Sequence, residues 1–443
     1  MRSWAQGSPN RRILAASMRV GGATVLARGA FVIRELVVAY ALGTSPQLGA
    51  FLLAAVIPTY IAQAFSGALP AAFVPAFVHA REDGGIATAA RLLGAAVILV
   101  AGLLIALAVP VIALFPLYLQ SAAAKFSPGD RQLAMGLLLI LGPYTLLRGL
   151  AALWGATLNA CRVFVLPGLT PALTPLLTAA VLLTIRGAGV EALAWTMTLG
   201  AVVETAIIAV AVRAAGVAIR PRWPGYLPEI RQLVRQFLPM IVGSAVLGAT
   251  TFVDQSMAAT LSPASISVLY YANLLVLLPV LVAGGTLGTA ALPYASEMAT
   301  TRQWPALGHM VVVYLRYIAL VTIPLTVALI VFAPSVVALV FHRGAFTAAD
   351  GMAVGEVVRY LAAQVPFSLG AVILIQVISA LRRTDILLWS AVLSLILKLV
   401  LNYLLIGPLG LAGIALSTSV IYAAALVYLL FFCFAQLRRR QHG

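Results

Sequence analysis

Twelve long apolar stretches dominate this chain, and each is long enough to cross a lipid bilayer as an α-helix. A transmembrane helix needs about 20 mainly apolar residues, and turn residues and charges separate stretches of at least that length. The stretches lie near 14–42, 48–78, 90–117, 132–158, 165–185, 190–213, 232–260, 266–295, 307–340, 352–380, 386–406 and 411–436. The sequence therefore predicts an all-α polytopic membrane protein with about twelve transmembrane helices.

The small share of charged residues excludes most classes of soluble protein. Of the 443 residues, 63% are hydrophobic and 9% are charged, whereas a soluble globular chain has roughly 45–50% apolar and about 25% charged residues. So few charges cannot cover a water-facing surface, which excludes a large soluble enzyme, a nucleic-acid-binding domain and a disordered chain. We expect no nucleic-acid partner despite the net charge of +16, because the cytoplasmic loops of membrane proteins are enriched in Lys and Arg.

The residue patterns that usually carry catalysis or bind metals are not visible in this sequence. Cys161 and Cys433 form no spaced set, and the four histidines fall at predicted helix ends or at the C-terminus. Neither a zinc site nor a disulfide framework follows from such positions. No Ser-His-Asp set, phosphate-binding glycine loop or pair of catalytic carboxylates stands out. The sequence predicts a protein that is not an enzyme and has no cofactor.

The distribution of Lys and Arg predicts the orientation in the membrane. With both termini in the cytoplasm, the inner segments hold seventeen basic residues, and the outer segments hold only Lys125, Arg131, Arg186 and Arg343. This asymmetry satisfies the positive-inside rule. Residues 1–12 are polar and basic, and no small-residue cleavage site follows, so we expect no cleavable signal peptide. The sequence predicts a multi-pass protein of the bacterial inner membrane with both termini in the cytoplasm.

The two halves of the chain repeat with a nearly constant offset. Residues 189–196 and 410–417 follow the same pattern 221 positions apart, and Arg162 and Arg382 lie 220 positions apart before equivalent apolar stretches. Six stretches precede and six follow the middle of the chain. Because six is an even number, the two halves have the same topology across the membrane.

This repeat predicts two parallel six-helix lobes around a central cavity. The N-terminal lobe would cover residues 1–213 and the C-terminal lobe residues 232–443, joined by a cytoplasmic linker at 214–231. Parallel repeats related by an axis along the membrane normal are a transporter architecture, with the substrate site between them. The linker is rich in Arg and Pro, and we expect it to lie on anionic lipid.

Ionisable residues in the first apolar stretch indicate a binding site. Such residues cost roughly 2.5–3.5 kcal/mol each at the bilayer centre on insertion scales, so they are retained mainly for function. This stretch carries Arg28, Arg34 and Glu35. Arg28 lies near its middle, and a guanidinium can bind phosphate through two parallel hydrogen bonds. We predict that Arg28 and Arg34 face an anionic substrate, while Glu35 either joins them or neutralises Arg34.

A second set of polar residues lies in the C-terminal half. Asp254 lies deep in the seventh stretch, and Lys398 and Asn402 lie in the eleventh at a spacing that puts both on one helix face. We predict that Asp254 and Lys398 pair, and that Asn402 and Thr418 complete the cluster. Two alternatives are open: a static ion pair that fixes helix packing, or a coupling site whose charge state changes during transport.

A set of short motifs is spread over both halves of the chain. Arg28 is followed after five residues by Arg34-Glu35, and Ile57-Pro58 precedes the Ala-Ala-Phe-Val-Pro run at 71–75. Further motifs are Tyr270-Tyr271-Ala272, Leu287-Gly288-Thr289 with Leu292-Pro293, the Arg-Gly-Ala-Phe-Thr run at 343–347 with Asp350, and the Gly-Pro-Leu-Gly-Leu-Ala-Gly run at 407–413. In this combination, and over nearly its whole length, the chain resembles the MurJ/MviN-type lipid II flippase family of the multidrug/oligosaccharidyl-lipid/polysaccharide exporter superfamily.

The resemblance implies a flippase that acts in peptidoglycan biosynthesis, cell wall biogenesis and cell shape. Its cargo would be a lipid II-like undecaprenyl-pyrophosphate saccharide, carried across the inner membrane by alternating access. The implied partners are this lipid-linked saccharide and the lipid bilayer, with cell-wall synthesis enzymes as further candidates. Arg28 and Arg34 match the arginines of the family's Arg-x5-Arg-Asp pattern, and Glu35 stands in place of its aspartate. Asn273 stands where the family's Tyr-Tyr-Ala-Asp-Arg motif has its aspartate. The resemblance therefore places Asn273 among the substrate-binding residues.

Departures from the family's motifs leave other functions open. Leu274 stands where the family has an arginine, and the stretch 59–63 lacks another arginine of the pattern. A cavity with fewer cations fits several alternatives besides lipid II transport. They are a flippase for another polyprenyl-linked oligosaccharide of the exopolysaccharide or O-antigen type, a small-molecule or drug antiporter of the same superfamily, and a non-transporting membrane partner of cell-wall enzymes.

Overall fold

The computed structural model describes residues 9–185, 187–223 and 228–442, and over these residues it consists of helices joined by short turns. Four features of the sequence fall at least partly outside the described residues: the start of the predicted N-terminal segment, Arg186, the middle of the predicted linker and the C-terminal Gly443. The described part of the chain contains no β-strand. The predicted all-α membrane fold is confirmed.

Fourteen α-helices follow one another along the described residues, with a short 3₁₀ turn at Thr170–Ala172. They are α1 (Pro9–Leu42), α2 (Pro46–Ala122), α3 (Pro128–Ala160), α4 (Val165–Leu169), α5 (Leu173–Thr184), α6 (Val190–Ala214), α7 (Pro228–Leu261), α8 (Pro263–Thr300), α9 (Trp304–Val331), α10 (Ala333–Phe341), α11 (Ala348–Leu361), α12 (Gln364–Ala380), α13 (Thr384–Leu409) and α14 (Leu411–His442). Each of the twelve predicted spans lies on one or two of these helices.

By length and hydropathy, nine helical segments in the described part of the chain can cross a membrane. The number rises to ten if α11 and α12, which meet at an angle of 46°, count as one broken span. Helix α1 is not among the nine, since three arginines and Glu35 lie between positions 19 and 35 and lower its hydropathy. It nevertheless covers the first predicted span.

Helix α2 is long enough to hold two membrane spans. Its 77 residues would extend about 115 Å at 1.5 Å per residue, whereas the hydrocarbon core of a bilayer is about 30 Å thick. Gly85 breaks the regular helix with φ 70° and ψ −173°. The second and third predicted spans lie on either side of this residue, so the break marks the turn between them.

Replacing Gly85 by alanine should destabilise the protein by about 1–3 kcal/mol, because only glycine adopts this region of φ and ψ without strain. A Cβ at position 85 would meet no atom within 4 Å, so the expected effect comes from the backbone alone. Gly102→Ala is the matched control, since Gly102 lies in the same helix with open space around it. Thermal unfolding of both variants in detergent checks this prediction, which an unchanged Gly85→Ala midpoint would contradict.

The described residues form two compact units. The first contains Met1–Gly43 and Ala50–Gly248, and the second contains Thr44–Gly49 and Ala249–Gly443, so α7 contributes residues to both. In the first unit, α3 packs on α6 and α5 packs on α1 and α6. Its hydrophobic core includes side chains of α2, α3 and α6.

In the second unit, α12 lies against α8, α9 and α14, and α13 packs along α14. Tyr271 of α8 is fully buried between Phe341 and Phe346, with ring centroids 5.3 and 5.6 Å away. The motif at 343–350 therefore has a structural explanation. Phe346 fills the core, and Thr347 and Asp350 form a capping box that begins α11.

Candidate functional site

A buried polar cluster lies in the second unit, on three helices. Asp254 comes from α7, Lys398 and Asn402 come from α13, and Ser417 and Thr418 come from α14. We call these five residues the charge cluster. Lys398 and Asn402 are one helical turn apart and therefore share a face of α13. The structure thus brings together the four residues selected from the sequence, and Ser417 joins them.

The turn between α13 and α14 positions the two hydroxyl-bearing residues. Gly410 links the helices with φ 55°, a conformation that favours glycine. Gly413 lies so close to α13 that a Cβ there would be 2.3 Å from the carbonyl oxygen of Leu405. These glycines let the first turns of α14 pack directly on α13, so Ser417 and Thr418 reach the side chains of Lys398 and Asn402.

The ammonium group of Lys398 has an acceptor for each of its three protons. Nζ lies 2.7 Å from Oδ1 of Asp254 and 3.3 Å from Oγ of Ser417, and it also donates to Oγ1 of Thr418. An ammonium group carries three donors and no acceptor. With 1% of its surface exposed, Lys398 has exchanged water for these three oxygens.

The carboxylate of Asp254 accepts hydrogen bonds from other members of the charge cluster besides Lys398. Oδ1 accepts a second hydrogen bond from Nδ2 of Asn402 at 2.9 Å, and Oδ2 accepts one from Thr418 at 3.4 Å. Ser417 donates to Oδ1 of Asn402 and thereby closes the network. Burying two opposite charges is favourable only when further hydrogen bonds satisfy the remaining donors and acceptors of both ions. This cluster meets that condition.

Chemically, the charge cluster is an oxygen-rich cation site that holds a lysine ammonium group. A carboxylate, an amide oxygen and hydroxyl groups are ligands that hard cations prefer. Here Nζ of Lys398 bonds to the carboxylate and both hydroxyls. Gain of a proton by Asp254, or loss of one by Lys398, would change the net charge of the cluster. The geometry therefore suits both the static and the coupling interpretation.

The repeat offsets assign a counterpart to this cluster in the first unit. At the offsets of 220 and 221 that relate the two halves, the positions of Lys398 and Ser417 correspond to Thr178 and Thr196. Thr178 donates to Thr196 at 3.0 Å, as Lys398 donates to Ser417. The two units thus share a polar contact at equivalent positions, but only the second unit has a lysine there.

In the first unit, the structure brings Arg34 and Glu35 together. Nε of Arg34 donates to Oε1 of Glu35 at 2.8 Å, and the guanidinium also lies 5.1 Å from the ring centroid of Phe31. Glu35 is 1% exposed and Arg34 is half-buried. Glu35 therefore neutralises and orients Arg34. Arg28 differs from both because its side chain is exposed on α1.

Asn273 does not join the charge cluster. Its Nδ2 donates to the carbonyl oxygen of Leu269 in its own helix at 2.9 Å, and the residue is half-buried. This hydrogen bond leaves the amide oxygen and the second N–H of Asn273 as the groups that could bind a ligand.

A buried ion pair in the first unit joins two ionisable residues of different helices. Arg148 of α3 donates to Oε2 of Glu204 of α6, and the Glu204 side chain is 3% exposed. Both residues stand out in the sequence as ionisable groups at membrane depth. Their pairing, 56 positions apart, could not be inferred because hydropathy does not show which helix faces meet.

Within the described residues, no group of three or more His, Cys, Asp or Glu side chains could hold a metal ion. Among the described residues, three buried charged sites are the charge cluster, the Arg34–Glu35 pair and the Arg148–Glu204 pair.

Comparison with known proteins gives one consistent family. The model of the family described as "Lipid II flippase MurJ" matches residues 38–442. A probable lipid II flippase MurJ of Synechocystis sp. is 26% identical over 93% of this chain and 80% of its own length. The lipid II flippase MurJ of Burkholderia cenocepacia is 27% identical over 91% of this chain and 80% of its own length.

Solved structures share the fold over most of the chain. A lipid II flippase MurJ in an inward closed conformation superposes with a TM-score of 0.81, at 22% identity, over 94% of this chain and 87% of that chain. A multidrug resistance MATE family transporter in an inward-facing conformation gives 0.80 at 14% identity over 94% and 96%. At these identities the superpositions establish the fold.

Proposed function

This chain belongs to the lipid II flippase MurJ family, and from that premise we propose that it carries lipid II across the bacterial inner membrane. The observation that supports this cargo is the family match over residues 38–442, together with relatives named as lipid II flippases that this chain matches over about 80% of their own length. Lipid II would cross by alternating access of two six-helix lobes, 1–213 and 232–443, joined by the linker at 214–231. The protein would act as a transporter, with no chemical step.

In this proposal Arg28 binds the pyrophosphate of the cargo. Its exposed position on α1 makes the guanidinium accessible, and the fork of donors matches the geometry of a phosphate group. Arg34 would assist from the next turns of the same helix, held in place by Glu35. Asn273 would contribute its amide oxygen to the saccharide.

The charge cluster would couple transport to a change of protonation or to the membrane potential. Burial of Lys398 against Asp254 makes the cluster sensitive to any change in its net charge. The ammonium group already lies among the cluster's oxygens, so a proton or the membrane potential is a more suitable driving force than a bound monovalent cation.

Complementation tests the proposed cargo. A bacterium depleted of its own lipid II flippase should regain viability and cell shape when it expresses this chain at a verified level in the membrane. The Arg28→Ala variant, expressed equally, is the matched control and should give no rescue. Failure of well-inserted wild-type protein to rescue growth would contradict the lipid II cargo in that host.

The similarity to a MATE family transporter favours one second candidate, a small-molecule antiporter. In that case cells that express the chain should expel a cationic dye when an ion gradient is imposed, and polyprenyl lipids should not compete. The family's motifs have arginines at the position of Leu274 and within the stretch 59–63. Their absence from this chain instead favours a different polyprenyl-linked oligosaccharide as cargo. Depletion strains for such a saccharide test that alternative in the same way.

We place both termini in the cytoplasm. The linker at 214–231 would then also be cytoplasmic, and any contact with cell-wall synthesis enzymes would be made through it. The seventeen-to-four distribution of basic residues supports this orientation. A reporter that fluoresces only in the cytoplasm should be active when fused after Gly443. Activity of a periplasm-specific reporter at the same position would reverse the assignment.

A further inference from the structure

Two of the five residues of the charge cluster remain partly accessible. Lys398, Asn402 and Ser417 have 1% or less of their surfaces exposed. By contrast, the side chain of Asp254 is 11% exposed and Thr418 is half-buried. Thr418 donates to Oδ2 of Asp254 at 3.4 Å, so the two accessible residues are neighbours. Water that reaches the charge cluster therefore arrives first at Asp254 and Thr418.

Tyr422 lies beside this accessible side of the charge cluster. It follows Thr418 by one helical turn on α14, so the two residues share a face of that helix. A long side chain on a helix leans toward the turn that precedes it, which directs the ring of Tyr422 toward Thr418. The charge of Asp254 acts on the hydroxyl of Tyr422, in agreement with this direction. The phenol group thus borders the accessible edge of the cluster.

The face of α14 that carries Tyr422 is otherwise packed inside the second unit. The outward stripe of this helix includes Val427 and Phe431, which are 65% and 67% exposed, and its centre lies about 160° around the helix from Tyr422 at 3.6 residues per turn. Leu429 and Cys433 lie within about 20° of Tyr422, and both are buried. Tyr422 is nevertheless 38% exposed. It therefore borders an internal opening and does not lie on the outward surface of α14.

Few titratable groups act at this opening. Asp254 of α7 and Lys398 of α13 form the ion pair, and α14 adds Tyr422. Helices α8, α9, α11 and α12 also pack against α14, but among the described residues none of their charged groups acts on Asp254 or Tyr422. Asp254 is therefore the carboxylate to which a proton that enters here would bind.

We propose that water and protons reach the charge cluster through this opening, and that Tyr422 controls the route with its ring as a cover and its hydroxyl as a polar contact. The inference rests on the proposed coupling role of the cluster. A proton from water passes Tyr422 and binds Asp254, which becomes neutral, while the ammonium group of Lys398 keeps its contacts with Ser417 and Thr418. Because a buried carboxylate changes its charge only when a proton reaches it, Tyr422 sets the rate of coupling.

The first test measures access to the charge cluster and needs no cargo. In the full chain with Cys161 and Cys433 replaced by alanine, Thr418→Cys supplies a thiol at the opening. Its reaction rate with the small water-soluble reagent 2-aminoethyl methanethiosulfonate is measured in nanodiscs. Adding Tyr422→Ala should raise this rate at least tenfold, and adding Tyr422→Trp should lower it. Tyr403→Ala is the matched control, since Tyr403 of α13 is 77% exposed and lies outside the cluster, and it should leave the rate unchanged.

The second test measures transport and does not depend on the cysteine variants. Tyr422→Phe keeps the ring and removes the hydroxyl. In lipid vesicles with an imposed pH gradient, this variant should translocate lipid II at least fivefold more slowly than the wild type, while its thermal unfolding midpoint stays unchanged. Tyr403→Phe should match the wild type in both measurements. A merely structural role of the Tyr422 hydroxyl would instead lower the unfolding midpoint and leave the pH dependence of transport as it is.

The two tests separate the route from the proposed function. A thiol reaction rate that is unchanged by Tyr422→Ala, or raised equally by Tyr403→Ala, would overturn the route. Normal proton-driven transport in Tyr422→Phe would overturn the part assigned to the hydroxyl. If the wild type moves no lipid II although Tyr422→Ala still raises the thiol reaction rate, the proposed cargo fails and the route stands.

Discussion

Removing either charge of the Asp254–Lys398 pair should destabilise the protein by about 3–5 kcal/mol, because the remaining charge is left buried without its partner. Lys398 is 1% exposed and loses its nearest carboxylate in Asp254→Ala. In Lys398→Ala, Asp254 retains hydrogen bonds from Asn402 and Thr418, so this variant should be the less unstable of the two. Thermal or denaturant unfolding in detergent measures both effects.

The double variant Asp254→Leu/Lys398→Leu separates a structural role from a coupling role. Replacing both members of a buried pair with apolar residues is often neutral for stability, so both interpretations predict recovered stability. If the charge cluster couples transport, as we propose, the double variant should still fail to transport. Recovery of transport together with stability would show that the pair is only structural, and additive single effects would show that it contributes no pairing energy.

The Arg148–Glu204 pair of the first unit supplies the matched control for this experiment. It is also buried and spans two helices, but it lies outside the proposed coupling set. We expect Arg148→Leu/Glu204→Leu to recover both stability and transport. If both double variants lose transport, the loss follows from apolar substitution in general and the charge cluster has no special role.

Replacing Arg28 by alanine should abolish transport while the protein still inserts and folds. The side chain is exposed on α1, so its removal leaves no cavity in the core. Arg28→Lys should restore transport only in part, because a lysine ammonium is a single point charge without the guanidinium's paired donors. Translocation rates at matched membrane levels measure both variants.

The control for Arg28 is Arg91→Ala, which removes an exposed charge from α2, outside the proposed substrate set. This variant should transport normally. Wild-type rates in Arg28→Ala would exclude the pyrophosphate-binding role. Equal losses in Arg28→Ala and Arg91→Ala would show that transport responds to net charge alone.

Hydropathy predicted the helices of this fold but not the breaks within them. The predicted span 307–340 is two helices, because Pro334, which lacks a backbone donor, lies in the first turn of α10 after the break at Phe332. The predicted span 352–380 bends by 46° between α11 and α12. Such breaks depend on local backbone geometry, whereas a hydropathy window averages over the whole stretch.

At the candidate sites, the sequence identified the residues that are costly to bury in a membrane better than it identified the residues they contact. Asp254, Lys398 and Asn402 stood out as polar groups in apolar stretches, and the structure brings them together. Ser417 did not stand out, since a helix tolerates a serine whose hydroxyl bonds its own backbone, here the carbonyl of Ile414.

The most direct test of the proposed function is to measure lipid II on the outer leaflet of cells. In cells depleted of their own flippase, a lipid II-modifying or lipid II-cleaving probe added from outside should reach its substrate only when this chain is expressed. We predict restored labelling with the wild type and none with equally expressed Arg28→Ala. Lipid II that stays protected in cells with abundant, correctly inserted wild-type protein would contradict the proposed function.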